Sequence, residues 1–375
     1  MKWLNTAILR HLDFRVLPII LSLMCISLLV ISSNDIYASL DNIFFTPRVK
    51  SQVQWFLIGI AVYLFFAVLD YNVLREWTWI LYIIMLIALV GLFFTETGKN
   101  VQRWYKLPFM KLQPSEIAKL IIVLTLAWFL DRRKAVSHTW KTAIIAGIIV
   151  GIPFILIFKQ PDLGTALLLF PITLVMFYFG GVKRSVIRLM SVSGACTLVV
   201  VLFFFLGIFS HKEMRPIATV VLKDYQYDRL DPNTYHQKAA LIAIGSGGLT
   251  GSGWKESEFT RKGWLPEAQT DSVFPAFAEE FGFIGIVAFL GLYYALIYFS
   301  FQVTAVAKDH FGCLLSSGIT TYLAMHVIVN VGMMSGLLPI TGVPLILMSY
   351  GGSSVLATMT ALGILQSIYS RRFMF

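Results

Sequence analysis

Hydrophobic positions come in long, nearly unbroken blocks. Runs approaching about 20 apolar residues, the length a helix needs to cross hydrocarbon, fall at 16–33, 53–70, 77–95, 116–130, 142–158, 163–181, 186–208, 274–302, 312–335 and 344–369. The fourth is short and the eighth long. The pattern predicts an all-α polytopic membrane protein with about ten transmembrane helices. Pro153 and Pro171 lie inside such runs. Proline there kinks a helix and is tolerated where neighbours or cavity water satisfy the freed carbonyls. One long polar segment, 209–273, interrupts the blocks and carries Tyr225, Tyr227, Trp254 and Trp264. These rings settle at membrane–water interfaces, so the segment is predicted as a large loop with short surface helices. The chain reads as one membrane domain, 1–375, with this loop inside it. No small-residue cleavage pattern follows the first run, which is read as a first anchor.

Composition strengthens this picture. Of 375 residues, 57% are hydrophobic and 13% charged, with mean hydropathy +0.76, whereas a soluble domain is about a quarter charged. The formal net charge of +10 is no sign of nucleic-acid binding here, because its sidedness matters more. An even number of spans puts both termini on one side. That side, with the short basic loops Asp131-Arg132-Arg133-Lys134 and Lys183-Arg184, carries +9 and the other +1. Short basic loops stay inside, so the termini are predicted in the cytoplasm and segment 209–273 outside. Cys25, Cys196 and Cys313 are dispersed, which argues for small core residues and against a disulfide framework or a CxxC metal site.

Polar chemistry gathers at the outward ends of the runs. Arg103-Trp104 precedes Gln113-Pro114-Ser115-Glu116-Ile117-Ala118-Lys119, which opens the fourth run. Pro114 suits a first helical turn. Glu116 and Lys119 are three apart, so they share a helix face and can pair. An interfacial tryptophan with a helix-end ion pair accounts for these residues as well as a polar cavity does. Asp162 opens the sixth run. It either caps that helix, favoured by the dipole, or joins Glu116 and Lys119 in an outward cavity. Tyr235 to Ile244 predicts a short helix ending at Gly245-Ser246-Gly247-Gly248. The glycines that follow, through Gly253-Trp254-Lys255, match neither Walker nor dinucleotide spacing. They are read as turns past a helix end, with a lid over the membrane surface as the functional version.

Thr270-Asp271 closes the polar segment, and Glu279-Glu280 follows within the eighth run. Carboxylates beside hydrocarbon are costly and mark function by default. Burial would raise the pKa of Asp271 and make it a usable base, whereas a helix cap at Asp271 or Thr270 is the structural alternative. Glu279 and Glu280 read as partners for polar groups within the bundle. Pro339 and Pro344, ahead of Ser349-Tyr350-Gly351-Gly352-Ser353-Ser354, predict a non-helical turn lining a cavity, although close helix packing also explains the small residues. His310 and His326 stand alone, so no metal cage is predicted.

Taken in order, Arg103-Trp104 with QPSEIAK (113–119), QPDLGTA (160–166), YHQ with AIGSGG (235–248), LPEAQTD…AEEFGFIG (265–285) and LLPITGVP…SYGGSS (337–354) resemble the SEDS family of bacterial membrane proteins (shape, elongation, division and sporulation). The likeness is greatest to its RodA branch and covers nearly the whole chain. Ser272, Leu345-Ile346 and the neighbourhood of Asn100 depart from the family pattern.

The resemblance implies ten spans in the bacterial cytoplasmic (inner) membrane. It implies polymerisation of lipid II into glycan strands during cell-wall elongation, with a class B penicillin-binding protein, a transpeptidase, as partner. It marks Asp271 as catalytic, and Trp104, Glu116, Lys119 and Asp162 as residues of the substrate cavity. A departing pyrophosphate needs positive charge. Lys119, Arg103, Arg215 and Lys238 are the candidates, with a divalent cation as an alternative carrier. Ser349 is placed in the same substrate-binding set with its turn. Lipid II, the nascent strand and membrane lipid are the expected ligands, with no nucleic acid. Two rivals share these features. A flippase for the same lipid-linked precursor would also use intramembrane charge and broken helices. A non-enzymatic scaffold would use the small-residue faces to hold partners.

Overall fold

The computed structural model describes residues 11–34, 44–94, 103–106, 111–160, 162–205 and 233–373, with a few isolated positions between 208 and 231. Residues 95–102 with Asn100, and most of 209–232 with Tyr225, lie outside them. The long helices are α1 (Val16–Ser33), α2 (Pro47–Val68), α3 (Tyr71–Gly91), α4 (Pro114–Arg132), α5 (Trp140–Lys159), α6 (Leu163–Phe179) and α7 (Arg184–Phe205). The polar segment adds α8 (Tyr235–Ser246) and the single turn α9 (Glu258–Arg261). The chain ends with α10 (Val273–Val306), α11 (His310–Met334) and α12 (Gly352–Ser370). Each predicted apolar run therefore overlaps a helix. Among the described residues, seven of them, α1, α2, α3, α5, α7, α10 and α11, are long and apolar enough to cross a membrane. α4 is denied that standing by its charges, α6 by its 17 residues and α12 by its serines and threonines.

Caps fix where these helices begin. Thr46, Asp70, Thr139, Asp162, Thr234 and Asp309 each accept a hydrogen bond from a first-turn amide of the helix that follows, satisfying a donor that has no partner within the helix. Two helices differ from their sequence reading. The run at 344–369 becomes helical only at Gly352, and Leu345, Ile346, Leu347 and Met348 are buried as irregular chain. Apolarity there reports burial by surrounding protein, which membrane proteins accept without a helix. α10 is broken at Gly282, with φ 61° and ψ −166°, while α5 and α6 run through Pro153 and Pro171.

α11 forms the centre of the bundle, packed by α4, α6, α10 and α12. α12 lies along α2, where a Cβ on Gly363 would stand 2.6 Å from the Tyr63 carbonyl oxygen. Small residues permit such backbone approach between membrane helices. The two-stranded ladder β1 (Tyr105–Lys106) and β2 (Lys111–Leu112) sits at the start of α4. There Ser353 ties α12 to it by donating to the Lys111 carbonyl at 2.8 Å.

Candidate active site

The starts of α4, α6 and α10, the end of α11 and the irregular stretch 335–351 converge on one end of the bundle. A cavity of about 350 Å³ opens there, lined by Asp228, Thr234, His236, Glu267, Asp271, Ile340 and Gly342. Gly342 sits at φ +77°, and a Cβ on it would stand 3.4 Å from Asp271 Oδ2. The Asp271 carboxylate therefore lies against a nearly bare backbone. Neither Asp271 nor Thr270 is the cap of α10, a position that Ser272 takes. His236, presented by α8, makes a 2.7 Å hydrogen bond between Nε2 and Ser272 Oγ. Burial pulls the His236 imidazole below its ordinary pKa, against an opposing pull from Glu267, which favours the neutral ring beside Asp271.

A second cavity of about 410 Å³ lies along the residues just before Asp271, with Arg48, Arg261, Glu267, Gln269, Thr270 and Tyr350 among its lining residues. Glu267 lines both. Arg48 donates to the Gln269 side chain, and Gln269 Nε2 donates to the Asn34 carbonyl at 2.9 Å. The two guanidinium groups make this second cavity suited to an anion.

A buried polar cluster lies in the first turns of α4, against α11. Lys119 Nζ is 2.8 Å from Glu116 Oε1 and 2.8 Å from His326 Nε2, and its side chain is fully buried. His326 Nδ1 is 3.0 Å from the Pro344 carbonyl oxygen. One tautomer satisfies both contacts, with Nδ1–H donating to Pro344 and Nε2 accepting from the ammonium. The ammonium also lies 5.3 Å from the centre of the Tyr322 ring. Asp162 accepts from Ser115 Oγ at 2.7 Å and from Gln113 Nε2 at 2.9 Å, in addition to capping α6 through Thr165 N.

The glycine run after α8 docks onto the break in α10. Phe283 and Ile284 N–H donate to the Gly248 and Leu249 carbonyls, and Ser252 and Gly253 N–H donate to those of Glu279 and Glu280, all at 3.0–3.1 Å. Glycine is required because the two backbones touch. A Cβ on Gly282 would fall 2.2 Å from Gly251 N, and one on Gly251 2.1 Å from the Glu280 oxygen. These glycines thus make a main-chain clasp where the sequence alone left turns or a lid. Glu279 accepts from Phe259 N at 2.8 Å and Thr260 N at 3.0 Å, which seats the single turn α9 on α10.

The FtsW/RodA/SpoVE family model, described as a cell cycle protein, matches residues 14–372. The chain belongs to this family. Peptidoglycan glycosyltransferase MrdB of Escherichia coli K12 is 36% identical over 365 residues, which span 97% of this chain and 95% of that one. Peptidoglycan glycosyltransferase RodA of Treponema pallidum is 28% identical, over 96% of this chain and 98% of its own. The crystal structure of the rod shape determining protein RodA of Thermus thermophilus superposes with a TM-score of 0.70 at 25% identity, covering 97% of this chain and 98% of that chain. A chain from a peptidoglycan synthase complex, solved for its structural coordination of polymerization and crosslinking, gives a TM-score of 0.76 at 25% identity, covering 97% and 99%.

Of the residues singled out in the sequence, Asp271 lines the first cavity, while Glu116, Lys119, Asp162 and Ser349 are buried and hydrogen-bonded outside its lining. Ser349 Oγ donates to the Thr270 carbonyl at 2.6 Å. Arg103 donates from Nε to the Gln160 carbonyl at 3.2 Å. Trp104 and Lys238 are exposed, and Arg215 pairs with Asp228 at 3.4 Å. The second cavity's Arg48 and Arg261 were missed, since neither arginine stands in a motif. His326 was set aside as a lone histidine because its partner Lys119 is 207 positions away. Among the described residues no three His, Cys, Asp or Glu side chains converge on a metal-sized site.

Proposed function

We propose that the chain is a peptidoglycan glycosyltransferase that polymerises lipid II into glycan strands in cell-wall elongation, with Asp271 as its general base. The observation that carries this reading is the Asp271 carboxylate on the wall of a cavity of about 350 Å³, backed by Gly342 and faced by His236. Its setting is a family member 36% identical to a peptidoglycan glycosyltransferase. Asp271 takes the proton of the acceptor sugar's hydroxyl as that oxygen attacks the anomeric carbon of the donor. The bond from that carbon to the pyrophosphate oxygen breaks, and polyprenyl pyrophosphate leaves with the electron pair. Neutral His236 keeps the wall polar without adding a cation that would hold Asp271's proton off. Arg48 and Arg261 meet the pyrophosphate's developing charge, and Glu267, facing both cavities, stands between donor and acceptor. Exposed Trp104 and Lys238, with Arg103, receive the head group at the rim. Glu116, Lys119, Asp162 and Ser349 support the cavity floor.

In this reading all ten long helices cross the inner membrane, with the termini in the cytoplasm and both cavities outside. The sidedness of the charge supports that orientation. Likeness to a chain of a synthase complex that coordinates polymerization with crosslinking supports a class B transpeptidase partner. The test is the purified chain with such a partner and labelled lipid II in liposomes. Glycan strands that vanish with Asp271→Asn are expected. Strands made equally well by that variant sink the base assignment, and lipid scrambling without polymer replaces the enzyme with a transporter.

A further inference from the structure

The segment that presents Asp271 lies ahead of α10, outside any long helix, yet three successive carbonyl oxygens of its main chain are held. Gln269 O accepts from Tyr350 N–H at 2.8 Å, Thr270 O from Ser349 Oγ at 2.6 Å and Asp271 O from Asn330 Nδ2 at 3.1 Å. The first two donors belong to the irregular stretch after α11. The third rises from α11 itself, the helix at the centre of the bundle. Asn330 is fully buried, and its Nδ2 makes a second bond, 2.7 Å long, to the Val343 carbonyl. Both partners are acceptors, so the amide can face them only with its NH₂ group. Val343 follows Gly342, the residue against which the Asp271 carboxylate lies. One side chain thus joins the main chain of Asp271 to the wall its carboxylate rests on.

We propose that Asn330 is a positioning residue for the reaction: by holding Asp271 and residue 343 to one NH₂ group, it sets where the Asp271 carboxylate stands in the cavity. This rests on the reading of Asp271 as general base. Held geometry of this kind is worth much in rate, since a misplacement of about 1 Å can cost about 100-fold. Its loss acts on turnover rather than on binding.

The experiment compares wild type with Asn330→Asp, Asn330→Leu and Asn330→Ala, each purified with the transpeptidase partner and assayed on lipid II for kcat, KM and the pH profile of kcat. Aspartate and leucine nearly keep the shape of asparagine, but leucine offers the two carbonyls no donor, and aspartate offers one of them a donor only when protonated and repels both when ionised. Both are expected to lower kcat about 10- to 100-fold, with KM within about threefold and the acid limb of the profile displaced. Leucine carries the test if the charged variant does not accumulate as a monodisperse protein. Full kcat in the leucine variant with a loss only in alanine would make Asn330 a space-filler and overturn the proposal. So would a loss confined to KM, or a loss of equal size at every pH, which is the mark of less active protein. Asp271→Asn is run beside them. Undiminished polymer from that variant takes down the general-base reading itself, whereas a dead Asp271→Asn with fully active Asn330 variants takes down only the positioning role.

Discussion

Replacing Gly251 with alanine puts the clasp between the glycine run and α10 to a quantitative test. Gly251 lies at φ +83°, and an added Cβ would fall 2.1 Å from Glu280 O, 2.5 Å from its carbonyl carbon and 2.7 Å from the Phe281 carbonyl carbon. All three are main-chain atoms, so no side chain can turn aside. The left-handed backbone costs a non-glycine residue about 1–2 kcal/mol, and forcing atoms into a filled space about 1–3 kcal/mol more. Gly251→Ala should therefore lose about 2–5 kcal/mol of stability. Gly248 is the internal control, because it too has positive φ, +53°, but nothing lies within 4 Å of its added Cβ. Gly248→Ala should lose only the backbone cost of about 1–2 kcal/mol. Unfolding in detergent micelles, followed for both variants in parallel, measures the difference. Polymer formation should fall further in Gly251→Ala, because the displaced helix start begins two residues beyond Asp271. Equal, small losses in the two variants would refute close approach as the reason for glycine here.

Three other outcomes are expected. Asp271→Asn should lower turnover by about 10²–10⁴ while leaving the unfolding profile unchanged, as checked by lipid II polymerisation beside thermal unfolding. Lys119→Met strips the buried Glu116 of its partner and should cost about 3–5 kcal/mol; the Glu116→Gln/Lys119→Met pair should cost clearly less, which a double-mutant cycle of unfolding energies measures. His236 titrates below its ordinary 6.5 because it is buried, so the unfolded ring binds more protons than the folded one between its lowered pKa and that value. Its contribution to stability is complete above about pH 6.5 and is lost as pH falls through that window. Unfolding measured across it should slope less in His236→Gln than in wild type.

How far the sequence reaches depends on the distance over which each signal acts. Run length located the long helices, because continuous apolarity is visible in the chain whatever the neighbours are, although the run at 344–369 begins eight residues before α12 does. The Glu116–Lys119 pair was legible from its spacing on one helix face. The irregular stretch 345–351 was not, since Leu345 to Met348 are as apolar as any helix and only burial by other segments distinguishes them. The break at Gly282 gave no sign, because a single glycine in an apolar run acquires meaning only from the loop at 248–253 that rests on it. Asn330 and His326 share this difficulty. Asn330 works through two main-chain carbonyls, which carry no side-chain signal, and His326 through the Pro344 carbonyl and the Lys119 ammonium, which only folding brings near.

The Glu116–Lys119–His326 cluster has an electrical consequence. With one carboxylate, one ammonium and a neutral ring, its formal charge is zero as a unit. Moving one elementary charge through a membrane potential is worth about 2.3 kcal/mol per 100 mV, but a neutral cluster that stays in place moves none. Glycosyl transfer on one face of the bundle likewise carries no ion from one side to the other. Turnover in proteoliposomes should therefore be flat when a potassium diffusion potential is imposed and reversed, in contrast to a carrier that drags a charged headgroup across the field.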